Sequence, residues 1–225
     1  MPRSSSADEF ALSLRGFGPL GIASILVILL VGNFPVAPMS AILVLLWRRQ
    51  SRTPWSEIGY APPQSWAATA VVGIAIGIAL KLVQKTIVMP LLGAPAGNDA
   101  YHYLVGNRLA LPGAIYLMIV GGGFGEETVY RGFLFERLGV LFGSFAGARV
   151  AIVFLSSALF SLAHFPVQGL AGSEQALLTG LTFGTIMAIQ GRVWLPMFAH
   201  AAYDLTALAI IFLGLEDWIA HFAFA

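Results

Sequence analysis

The stretch Gly121-Gly-Gly-Phe-Gly-Glu126-Glu127-Thr-Val-Tyr-Arg131-Gly132 sets two adjacent carboxylates and an arginine inside a run that is otherwise almost wholly apolar. Leu111 to Val120 leads in, and Phe133, Leu134 and Phe135 lead out. A helix from Leu111 to Phe135 would be about 37 Å long at ~1.5 Å per residue, enough to cross a bilayer. Its acidic pair would then lie at membrane depth. An ionisable side chain there costs at least ~2.5 kcal/mol and marks a functional site by default.

The composition around this stretch is that of a membrane protein. Of 225 residues, 58% are hydrophobic and only 10% charged, with a mean hydropathy of +0.82. Soluble domains carry about 25% charge, so a soluble globule is excluded. A net charge of +1 gives no basic face for nucleic acid, so no nucleic-acid partner is expected. With no cysteine, a disulfide framework, a thiol nucleophile and a Cys-ligated metal are all ruled out.

Hydropathy along the chain predicts an all-α polytopic membrane bundle of about seven to eight transmembrane helices. Residues 1–16 read as a cytoplasmic N-terminal tail, 17–215 as one membrane-embedded domain, and 216–225 as an interfacial tail or short last helix. The predicted spans are Phe17–Val31, Val36–Trp47, Ala67–Leu92, Leu111–Phe135, Val150–His164, Ala176–Gln190 and Val193–Leu215. Arg48, Arg49 and Arg52 form the densest basic cluster, which the positive-inside rule puts in the cytoplasm together with the N-terminus. Pro54 to Trp66, rich in Pro, Trp and Tyr, suits a segment at the membrane interface. Lys81 and Lys85 lie in the outer half of the third span and are expected to snorkel outward rather than line a cavity.

Polar groups recur in three of these spans. Glu127 and Arg131 are spaced i, i+4 and can neutralise each other, which leaves Glu126 as the carboxylate free for chemistry, suited to act as a general base. His200 and Asp204 share a helix face by the same spacing, and His164 ends the fifth span in Phe160-Ser-Leu-Ala-His164. A Glu–His pair can activate water, and a second histidine can stabilise the oxyanion formed when water attacks an amide. Two histidines and a carboxylate (Glu126, His164, His200) are equally a zinc ligand set with an open position. Metal-bound and metal-free versions both stay open. Neither a His-Glu-x-x-His helix nor a Gly-x-Ser-x-Gly nucleophile occurs. The glycines at 121, 122, 123 and 125 point first to close helix packing and second to a local loosening of the helix.

In chain order these residues spell Glu-Glu-x-x-x-Arg (Glu126, Glu127, Arg131), Phe-x-x-x-His (Phe160, His164) and His-x-x-x-Asp (His200, Asp204). The set resembles the CPBP family of intramembrane proteases, also called Abi, which holds the CAAX prenyl endopeptidases and bacterial bacteriocin-processing relatives. The resemblance covers roughly Leu111 to Leu213. It implies an intramembrane endopeptidase, a metalloprotease if zinc is bound, whose cavity opens toward the cytoplasm. Glu126 would be the base, assisted by His164, with His200 and Asp204 holding an oxyanion or a metal. Glu127 and Arg131 would be the supporting pair. A carboxylate at Asp204 weakens a neutral-donor role there and favours a ligand or orienting one. The implied substrate is a membrane-associated protein or peptide, lipid-modified in the CAAX case. A bacterial cytoplasmic membrane and contact with its lipid are the expected setting. Two other classes fit the same polar groups: a non-catalytic membrane immunity or binding protein, and a small polar-relay transporter.

Overall fold

The computed structural model describes residues 6–32 and 38–222. It is 79% helix and, among the described residues, has no strand. The helices are α1 (Ser6–Arg15), α2 (Pro19–Val31), α3 (Met39–Ser51), α4 (Trp66–Leu91), α5 (residues 111–142), α6 (Ala148–Gln190), α7 (Trp194–Phe212) and α8 (Glu216–Ala220). Three of them, α4, α6 and α7, are long and apolar enough to cross a membrane. A fourth span arises if α1 and α2, bent by 57°, count as one. Large apolar side chains such as Leu26 and Leu30 on α2, Val71 on α4 and Phe154 and Leu162 on α6 are exposed, which suits contact with lipid.

The predicted count of seven to eight spans is not confirmed among the described residues. The expected fifth and sixth spans lie within α6 and are separated at Gly169, whose backbone leaves the helical region (φ 64°, ψ −161°). Only glycine adopts that conformation without strain, so the break is written into one residue. The span carrying the acidic pair is a continuous helical run, but residues Leu117–Glu126 and Thr128–Phe133 are π-helical. The second expectation for the glycine-rich stretch, a loosened helix, is therefore the geometry found. The predicted second span begins at Val36, which lies outside the described residues; helix α3 starts at Met39.

Residues 6–15, expected as a polar tail, form a helix docked on α3. Leu14 is buried and its carbonyl accepts from Trp47 Nε1 at 3.3 Å. Asp8 pairs with Arg52, and Arg15 with Glu57 at 2.7 Å. Trp47 stacks edge-on against Phe133 of α5, with centroids 4.8 Å apart, so this layer supports the helix that carries the glutamates.

The other support is the pairing of α4 with α7. Gly73 and Gly77, four apart on α4, are buried against α7. A Cβ on Gly77 would lie 2.8 Å from Tyr203 N and overlap Ala199 O, and one on Gly73 would lie 2.7 Å from Phe198 Cβ. Small residues thus let the two backbones touch and fix the height of His200 and Asp204. Gly77→Leu should force the helices apart, lowering stability by about 1–3 kcal/mol. Thermal unfolding in detergent, followed by tryptophan fluorescence, checks this; an unchanged midpoint would mean that the helices do not meet there.

Candidate active site

The π-helical turns of α5, the middle of α6 and the first half of α7 converge on one place. Glu127 is fully buried and its Oε1 accepts two hydrogen bonds, from Arg131 Nη1 at 2.8 Å and from His200 Nδ1 at 2.7 Å. Arg131 lies 4.6 Å from the Phe160 ring centroid and 5.7 Å from that of Phe183, and its Nη2 reaches Gly180 O at 3.4 Å. The pair expected to neutralise itself along one helix therefore also clamps α7 to α5 through His200.

Glu126 points the other way. It makes no direct hydrogen bond among the described residues, and its Oε2 lies 3.7 Å from His200 Nε2 and 3.9 Å from His164 Nε2. Asp204 Oδ2 is 3.6 Å from His200 Nε2. A Cβ on Gly122 would sit 3.5 Å from His200 Nε2 and collide with Asp204, so glycine there lets both side chains approach the α5 backbone. His164 Nδ1 faces the carbonyl of Phe160 at 2.8 Å. A carbonyl only accepts, so Nδ1 carries the proton, and in the neutral ring Nε2 offers a lone pair toward Glu126. Phe160 meets both histidine rings edge-on, with its ring centroid 4.5 Å from that of His164 and 5.9 Å from that of His200. Of the residues predicted from sequence, all seven (Glu126, Glu127, Arg131, Phe160, His164, His200 and Asp204) thus lie in one connected cluster.

Glu126, His164, His200 and Asp204 line a cavity of about 510 Å³, within the ~300–1,000 Å³ range of ligand sites and large enough for a short peptide segment. Another part of the lining was not foreseen. Lys81 and Lys85 are buried and line the cavity instead of snorkelling outward. Lys81 Nζ donates to Gln175 Oε1 at 2.8 Å, and Lys85 pairs with Glu216 at 3.2 Å and with the Ala96 carbonyl. Their inward direction follows from Gly73, Gly77, Lys81 and Lys85 repeating every four residues, which puts the lysines on the face that packs on α7. The loop expected between the third and fourth spans forms a strap, with a 3-10 turn at Asp99–Leu104, over the cavity. Its Tyr101 hydroxyl accepts from Gln168 Nε2 at 3.0 Å. Burial, reinforced by Asp204 and Glu126, pushes Tyr101 up to about 12. The hydroxyl therefore keeps its proton and can donate it into the cavity. Outside the cavity, burial likewise pushes Tyr60 up to about 12, against its 2.7 Å hydrogen bond with Thr128.

Two donors on one tetrahedral zinc at ~2.1 Å lie about 3.4 Å apart. The 3.7 and 3.9 Å separations about Glu126 are wider. Among the described residues no group of three His, Asp or Glu side chains is arranged to hold a metal ion. The same separations suit a water molecule at ~2.8 Å from each neighbour.

Fold and site together define an all-helical protein with apolar, membrane-length helices and a buried carboxylate–imidazole cluster at a cavity. Residues 108–206 match the family model described as Type II CAAX prenyl endopeptidase Rce1-like, the CAAX-protease family that the three motifs resemble. No curated protein and no solved structure matches the chain.

Proposed function

We propose that the chain hydrolyses a peptide bond of a membrane-associated protein or peptide with a water activated by Glu126 and His164. The observation that carries this is the position of Glu126 Oε2, 3.9 Å from His164 Nε2 and 3.7 Å from His200 Nε2, at the wall of the cavity. Glu126 and neutral His164 are both acceptors, so a water between them gives one hydrogen to each and turns an oxygen lone pair to the substrate. The water oxygen bonds to the carbonyl carbon as Glu126 takes its proton. His200, with Nδ1–H held by Glu127, carries its second proton on Nε2 and donates it as a hydrogen bond to the oxyanion. Asp204 orients that imidazolium. Collapse breaks the C–N bond, and the proton on Glu126 passes to the leaving nitrogen, giving a new carboxyl end and a free amine. In liposomes, a membrane-anchored reporter peptide should be cut and gain one oxygen atom from labelled water in the new carboxyl group, read by mass spectrometry. Absence of cleavage across a library of such peptides would defeat the proposal. Glu126, His164 and His200 would be the zinc ligands in a metal-dependent version. We expect chelators to leave the rate within about twofold; loss of activity restored by added zinc would replace the metal-free scheme.

The expected setting is a bacterial cytoplasmic membrane. Two expectations about orientation pull apart. With Arg48, Arg49 and Arg52 inside, the strap at residues 94–104 falls outside, yet its exposed residues Pro95, Asp99 and Tyr103 rim the cavity. A cytoplasmic opening, as the family resemblance implies, would need the strap inside. The chain lacks cysteine, so single cysteines can be introduced cleanly. A cysteine replacing Tyr103 should be labelled from the side on which substrate is cut, and labelling from the opposite side would detach the cavity rim from substrate entry.

A further inference from the structure

We propose that the part of the cavity wall built on Lys81, Gln175 and Tyr203 is a binding site for a carboxylate of the substrate. This rests on the protease function proposed above and extends it to what the substrate must carry. Lys85, one turn along, has its counter-ion in Glu216. Lys81 has no ion pair among the described residues, although it is equally buried. Its ammonium has three donors. One goes to Gln175 Oε1 at 2.8 Å, and the Tyr203 ring, 4.8 Å away, offers only its π face. The neighbouring polar groups are already committed to one another. Tyr203 Oη lies 2.6 Å from Gln84 Oε1 and 2.9 Å from Gln175 Oε1, Gln84 Nε2 donates to Thr179 at 3.2 Å, and Thr179 donates to Gln175 O at 2.8 Å. That network fixes Gln175 and, through it, the direction of Lys81. What remains is a pre-oriented cation with unspent N–H groups facing a space that also reaches Glu126.

A buried ammonium short of acceptors calls for an anion that arrives with the ligand. Four carboxylates already line this space (Asp99, Glu126, Asp204 and Glu216) and Lys85 is paired with one of them, so a free acid would be repelled from most of it and accepted where Lys81 lies. A carboxylate held there would anchor one end of a bound peptide while its scissile bond lies over Glu126. The acid could be a chain terminus or an acidic side chain.

Binding to the Glu126→Gln protein in micelles, in which hydrolysis is expected to be too slow to consume the ligand, separates this from the reaction. The probes are acetyl-trileucine acid, its C-terminal amide, and the same amide with glutamate as its middle residue. The acid should bind about tenfold tighter than the plain amide, the usual gain from a charge-assisted pair. Adding Lys81→Met should bring the two within twofold, whereas Lys81→Arg keeps the preference. Preference for the glutamate-bearing amide over both others would support the site with a side-chain carboxylate as its ligand. Equal binding of all three probes would overturn the proposal without any lysine variant, even if Lys81→Met fails to fold. A preference that survives Lys81→Met would overturn it too. If the unmodified chain cleaves nothing yet the acid preference holds, the hydrolytic function falls and the carboxylate site stands.

Discussion

Glu126→Gln is expected to lower the cleavage rate by about a thousandfold or more while leaving the protein as stable as before. A positioned general base contributes about 10² to 10⁴ in rate, and glutamine cannot take the proton from water. Stability should not follow. Glu126 has no direct hydrogen bond among the described residues, and its side chain, 23% exposed, faces the cavity. An isosteric amide there removes no packed contact, so the unfolding midpoint should shift by no more than about 0.5 kcal/mol equivalent. Cleavage assays and thermal unfolding on the same preparation check both halves. Retained cleavage would remove Glu126 from the chemistry, and would favour the binding or transport classes that the same polar groups also fit.

The adjacent residue should behave in the opposite way. Glu127→Leu leaves the Arg131 guanidinium and the His200 Nδ1–H without their shared acceptor, in a place where Arg131 is 1% exposed. Removing one partner of a buried ion pair costs about 3–5 kcal/mol, so a large fall in unfolding temperature and poor recovery from detergent are expected. The double variant Glu127→Leu with Arg131→Leu should recover part of the loss, since it takes away the stranded charge as well. The pair is not ideally satisfied even in the native chain: Glu127 Oε2 and Arg131 Nε have no partner among the described residues. If Glu127→Leu is as stable as the parent, the clamp between α5 and α7 carries no weight.

The contrast between these neighbours was partly legible in the sequence. The i, i+4 spacing of Glu127 and Arg131 foretold their contact, and it left Glu126 over for chemistry. Histidines at 164 and 200 could be named because an imidazole deep in an apolar run needs a polar partner. The π-helical winding of α5 was foreseen only as the second expectation for its glycines, a local loosening, because spacing arguments assume the i→i+4 ladder. A break between His164 and Ala176 was expected, but its hinge, Gly169, was not singled out, since one glycine in a long apolar run looks like any packing glycine. The inward lysines were readable but misjudged. Lysine on a membrane helix usually reaches for the interface, and that habit outweighed the four-residue repeat that ties Lys81 and Lys85 to the tightly packed Gly73 and Gly77.

A water held jointly by Glu126 and His164 is the centre of this account, and an experimental structure in lipid at a resolution that shows waters tests it most directly. One ordered water within about 3.2 Å of both Glu126 Oε2 and His164 Nε2, on the cavity side, is the predicted result. Finding those two side chains more than ~10 Å apart, or turned into lipid, would contradict it.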